Sequence, residues 1–124
     1  MAPHQRFVQV GSARDRKGGE IDLHPVRALI GKIVARWDPH QIWLFGSRAR
    51  GEANEWSDWD LLVVVPDETP DEEFDPKVAY ALRRDTSVAA DVILTPRAEF
   101  EDYRNVTCTL QYEAAHFGVL LYAR

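Results

Sequence analysis

The feature that most constrains this chain is the run Asp58-Trp59-Asp60-Leu61-Leu62-Val63-Val64-Val65. Leucine and β-branched residues packed this densely favour an extended strand. A strand with one solvated face alternates apolar and polar residues, and Leu61 to Val65 does not. Both faces therefore need cover, which one layer of helices cannot supply. The second cover is expected from a C-terminal helix of the chain or from another subunit, as in a homodimer. The strand also opens on two acids. Residues two apart in a strand share a face, so Asp58 and Asp60 project side by side while Trp59 points the other way.

The rest of the chain reads as helices and short strands around that run. Pro25 suits a first helical turn, and Val26, Leu29, Ile30, Ile33, Val34 and Trp37 follow helical spacing up to Asp38-Pro39. Gln41 to Phe45 reads as a buried strand, Gly46-Ser47 as a turn, and Ser47 to about Ala53 as a short helix. Glu52 to Ser57 is a polar loop carrying Trp56, and Pro66 to Asp75 is an acidic loop. Helices are expected over 76–85, 96–103 and 107–117, and strands over 88–94 and 119–122. Gly118 suits a helix C-cap. Residues 1–22 read as a flexible N-terminal arm, with a short strand at Arg6 to Val10, and residues 23–124 as the domain. The fold class is α+β, a small mixed sheet with helices packed on it.

Three features carry chemistry. At Gly46-Ser47 a glycine permits a tight turn and close approach of another group. The N–H groups that follow and the Ser47 hydroxyl offer donors to an anion. No Gly-Lys-Ser/Thr follows, so the turn is not a Walker A loop. At Asp58 and Asp60, two adjacent carboxylates repel, and a hard divalent cation resolves the repulsion while keeping water or phosphate as its other ligands. Asp91 stands among Val88, Val92, Ile93 and Leu94, where an unpaired acid is costly and needs an arginine or a metal as partner. Arg48 and Arg50 follow the turn, where either could meet a phosphate or simply solvent.

Gly46-Ser47, then Gly51, then Ser57-Asp58-Trp59-Asp60-Leu61, then Asp91, resembles the Gly-Ser, Asp-x-Asp, Asp pattern of the DNA polymerase β-like nucleotidyltransferase superfamily. The stretch Leu44 to Gly51 looks especially like the minimal nucleotidyltransferases, which include the antitoxin partners of HEPN-domain toxins. The closing stretch Tyr112 to Tyr122 is similar to the end of many such chains. The resemblance implies the polymerase β-like palm fold. It implies that Asp58, Asp60 and Asp91 hold a pair of Mg²⁺ or Mn²⁺ ions and do the catalytic work. It further implies that Gly46 and Ser47, with Arg48 beside them, bind the triphosphate of ATP or another nucleoside triphosphate. The implied reaction moves a nucleoside monophosphate to a hydroxyl and releases pyrophosphate. With no length for an acceptor domain, the acceptor is expected on a partner protein such as a HEPN-type toxin.

The composition narrows this further. A formal charge of -5 argues against a domain that grips nucleic acid through its phosphates. The apolar runs are too short to span a bilayer. A single cysteine, Cys108, excludes an intramolecular disulfide and a cysteine-based zinc site, and the four histidines lack ligand spacing. A reducing, cytoplasmic setting is expected. Two other readings fit parts of the sequence. One is an antitoxin or regulatory subunit that neutralises its partner by contact alone. The other is a glycosyltransferase using Asp58-Trp59-Asp60, which leaves Gly46-Ser47 unexplained.

Overall fold

The computed structural model describes residues 12–124 together with the backbone strand Phe7–Val8. Strands β1 (Phe7–Val8), β2 (Ser12–Arg14) and β3 (Glu20–Asp22) precede helix α1 (Arg27–Trp37). Then follow β4 (Gln41–Phe45), the single-turn helix α2 (Ser47–Arg50), β5 (Trp59–Val65) and α3 (Pro76–Arg84). The chain closes with β6 (Ala90–Pro96), α4 (Arg97–Tyr103), α5 (Leu110–Phe117) and β7 (Val119–Ala123). The main sheet has the order β1-β7-β4-β5-β6. Its β5–β6 pair is parallel and its other pairs are antiparallel, so the sheet is mixed.

β5 is the centre of the molecule. Leu61, Leu62, Val63, Val64 and Val65 are all at most 1% exposed. Alternation sends Trp59, Leu61, Val63 and Val65 into one core, with Leu29, Ile30 and Ile33 of α1 and Ala79 of α3. It sends Leu62 and Val64 into a second core with Phe45, Phe100 of α4 and Ala114 of α5. The chain's own C-terminal helices thus cover the second face, and the strand needs no other subunit for that purpose. Each buried Leu or Val contributes about 1.5–3 kcal/mol of transfer free energy.

Local signals set the helix ends. Asp75 caps α3 by accepting from the Lys77 N–H at 3.0 Å, with Pro76 in the first turn. Thr109 caps α5 through the Tyr112 N–H, also at 3.0 Å. Asp38 closes α1 in the left-handed conformation, at φ 44°. Gly118 ends α5 for a different reason from the expected one. Its φ is -88°, so no left-handed turn is involved. A Cβ there would meet the carbonyl oxygens of Ala114 and Leu44, so only glycine lets α5 pack this close to β4.

Residues 12–22 depart from the arm expected of them. β2 and β3 pair as an antiparallel hairpin, with Ala13 opposite Ile21 and both buried in the first core. Asp15 shapes the turn by accepting from the N–H groups of Lys17 and Gly19 at 2.8 and 2.9 Å. The Arg16 N–H donates to the Ala49 carbonyl at 2.8 Å, which ties the hairpin to α2. Of the strand expected at Arg6 to Val10, Phe7–Val8 pairs with β7, and the remainder lies outside the described residues.

Candidate active site

One end of the sheet gathers the residues singled out in the sequence. Phe45 is the last residue of β4, and it stands opposite Asp60 of β5. Asp60 in turn stands opposite Asp91 of β6. Directly paired residues project to the same face, so the two acids lie side by side across a parallel pair. Asp58 sits one residue before β5 and is exposed. Asp91 is exposed as well, because it lies second in an edge strand and not in its buried middle. The partner that sequence reasoning demanded for Asp91 is therefore not forced by burial; its charge bears on Asp60, and it lines a groove with Tyr80 and Arg83 of α3.

Gly46 follows Phe45 at this same end. Its φ of 77° and ψ of -159° lie in a region that only glycine occupies readily. A Cβ on Gly46 would collide with the Asp60 carboxylate, whose Cγ would stand 3.2 Å away. The missing side chain thus makes the space in which Asp60 sits. Ser47 opens α2, is half-buried, and its hydroxyl has no partner among the described residues.

The carboxylates feel one another. The pKa of Asp60 is raised, first by burial, then by the charges of Asp91 and Asp58, with Arg50 opposing. Asp91 and Asp58 are thereby close enough to repel it. Arg50 is held by two other acids, Glu52 at 2.9 Å and Glu113 of α5 at 2.8 Å, so its charge is shared. Among the described residues no three acidic, histidine or cysteine side chains are placed together so that they could hold a metal ion. An ion held by these acids would complete its shell with oxygens from outside the chain, as a hard divalent cation readily does.

A consequence for stability follows. A carboxyl whose pKa is raised by folding opposes folding once it ionises. The penalty is complete above its folded pKa and vanishes below the ordinary carboxylate range. Asp60→Asn is therefore expected to raise the thermal midpoint of the metal-free chain at pH 7. The gain should shrink as the pH falls through the carboxylate range, which a pair of melting curves at neutral and acid pH would show.

Arg48 is bonded to the residues on either side of Asp58 and not to the acids themselves. Its Nε and Nη2 donate to the Ser57 carbonyl at 3.0 and 2.6 Å, and its Cζ lies 4.3 Å from the Trp59 ring centroid. Burial lowers its pKa, while the charge of Asp58 raises it. Beside it opens a cavity of about 650 Å³, reached between the hairpin and the loop before β5. Its lining includes Arg48, Ser57, Trp59, Ile21, Val88 and Trp56, the last 83% exposed. Sequence reasoning missed the Glu113–Arg50 pair and the hairpin wall of this cavity. Ala13 and Ile21, each between polar neighbours on either side of Lys17-Gly18-Gly19, are the hairpin's trace in the sequence, too short to establish a period. Nothing local pointed to Glu113.

Comparison with known proteins gives the family and supports the fold. Residues 26–114 match the family model described as a nucleotidyltransferase domain. The chain is similar to a crystal structure of a proposed nucleotidyltransferase from Sulfolobus solfataricus, at 22% identity and a TM-score of 0.54. That match covers 79% of this chain and 77% of the other, and it speaks for the fold. No curated protein matches the sequence. The family match runs from the first turn of the helical layer, through Gly46 and the row of acids, to α5. The chain belongs to the nucleotidyltransferase domain family.

Proposed function

We propose that the chain is a divalent-metal-dependent enzyme that transfers a nucleoside monophosphate, AMP from ATP, to a hydroxyl group and releases pyrophosphate. The observation that carries this reading is the row across the end of the sheet. Gly46 is cut back to admit Asp60, and Asp60 lies in register with Asp91. An acid cluster that raises its own pKa is costly to maintain, and a cation relieves that cost.

Asp58, Asp60 and Asp91 would hold the metal, and their all-oxygen donor set suits Mg²⁺ or Mn²⁺. When bound there, such ions supply charge neutralisation for the triphosphate and a lowered pKa for the acceptor hydroxyl. The remaining work falls to the chain. The Gly46-Ser47 backbone and the Ser47 hydroxyl orient the triphosphate. Asp91, exposed at the sheet edge, takes the proton of the incoming hydroxyl. The hydroxyl oxygen forms a bond to the α-phosphorus, the bond from that phosphorus to the bridging oxygen breaks, and pyrophosphate leaves. Positioning and charge stabilisation suffice for such transfer, and no covalent nucleophile is needed.

The acceptor we assign is a hydroxyl on a partner protein, as the resemblance to antitoxin-type minimal nucleotidyltransferases implies. Among the described residues no helix is long and apolar enough to cross a membrane. The test uses ATP labelled separately at the α- and γ-phosphates, with Mg²⁺ and lysate of the source cell. Transfer of the α label to a protein, absent in Asp58→Asn, is the expected result. Transfer of the γ label alone would mark a kinase and overturn the reading. Partner neutralisation that survives Asp58→Asn would favour contact alone.

A further inference from the structure

We propose that Arg48 is a positioning residue, which fixes Asp58 against the Gly46-Ser47 turn and does not itself grip a phosphate. The inference builds on the reading of Asp58 as a metal ligand. Arg48 holds the residues on both sides of that acid. Its guanidinium fork donates twice to the carbonyl of Ser57, and its flat face lies on the ring of Trp59. Arg48 itself belongs to α2, two residues after Gly46, whose backbone abuts Asp60. One side chain therefore joins the turn to the strand start that carries both acids.

Asp58 needs such a support. It precedes β5, so the sheet begins to hold the chain only at Trp59, whose N–H donates to the Ala89 carbonyl at 3.0 Å. On its other side, residues 53–57 are bonded chiefly to themselves. The Asn54 N–H donates to Ser57 Oγ at 3.0 Å, the Trp56 N–H to Asn54 Oδ1 at 2.8 Å, and the Ser57 N–H to the Asn54 carbonyl at 3.1 Å. Among the described residues, the only hydrogen bonds that tie this turn to another element come from Arg48. The side-on edge of the guanidinium, Nε with Nη2, is spent on Ser57, which leaves only the end-on Nη1 side with free donors among the described residues. A partly buried cation is tolerated here because a carbonyl and an aromatic face replace its water. Lysine offers neither the planar fork nor the flat face, so it is no substitute.

The test compares Arg48→Met and Arg48→Lys with the wild type, first by amide hydrogen exchange without metal. Exchange at Asn54 and Ser57 is expected to quicken about tenfold in both variants, with the amides of Leu61 to Val65 unchanged. No change at Ser57, an equal quickening everywhere, or full rescue by lysine would overturn the inference. Mn²⁺ binding is then measured by calorimetry in wild type, Arg48→Met, Asp58→Asn and the double variant. Arg48→Met should weaken binding on the order of tenfold in the wild type and add nothing to Asp58→Asn. Additive losses, or a loss of ATP binding without metal, would overturn it. Mn²⁺ binding that is indifferent to Asp58→Asn would instead sink the metal reading, and the exchange result would still decide the role of Arg48.

Discussion

Asp60→Asn and Asp58→Asn should each lower nucleotidyl transfer by roughly a thousandfold, the rate equivalent of about 4 kcal/mol of lost charge stabilisation. Asparagine keeps the shape of aspartate and removes its charge, so the fold should survive. At Asp60 the contrast is sharper. The carboxylate there is destabilised by burial and by two neighbouring acids, so the metal-free variant should be more stable than the wild type while being inactive. Opposite signs for stability and activity are the mark of a group retained for function. A structural acid would lose both together. The comparison requires only α-label transfer and a melting curve on the same two proteins.

Gly46→Ala should be the most damaging change outside the acids. Two separate costs meet at this position. The backbone, at φ 77° and ψ -159°, admits an L side chain only with strain of about 1–3 kcal/mol. The new Cβ also takes the place of the Asp60 carboxylate. Displacing that group disturbs the row formed by Phe45, Asp60 and Asp91, so activity should fall at least about a hundredfold beyond what lost stability explains. The two costs separate in a double variant. In an Asp60→Ala background the collision is gone, and Gly46→Ala should cost only the backbone term. Equal destabilisation in both backgrounds, read from denaturant midpoints, would show that Gly46 serves the turn and not the acid.

Much of this site was legible in the sequence because its signals are local. The unbroken run Leu61 to Val65 announces a strand covered on both faces, and both faces are covered. Spacing predicts Asp58 and Asp60 on one face, whereas β5 begins at Trp59 and leaves Asp58 just outside the strand; a glycine at the end of an apolar strand suggests a special turn. Residue-to-residue register was not legible, because pairing Asp60 with Asp91 depends on the crossover through α3. Nor was the identity of the second cover, for which α4 and α5 supply only Phe100 and Ala114 as fully buried side chains. The hairpin of residues 12–22 escaped because its strands are three residues long, too short for a period to emerge, and its polar turn looks like a linker. Arg48 was open in the sequence between a phosphate and solvent, and its contacts with Ser57 and Trp59 were not legible, because the loop before β5 brings them to it.

On the proposed function, one end of the sheet forms a single centre for a metal and a nucleoside triphosphate. The most direct measurement is paramagnetic broadening of backbone amide signals by Mn²⁺ in the presence of a non-hydrolysable ATP analogue. Signals of Gly46, Ser47, Asp58, Asp60 and Asp91 should vanish together at low Mn²⁺, and they should persist in Asp60→Asn. Broadening centred instead on Asp15, Glu20 and Asp22 of the hairpin cavity, or on the acidic loop of residues 66–75, with Gly46 and Ser47 left sharp, would contradict it.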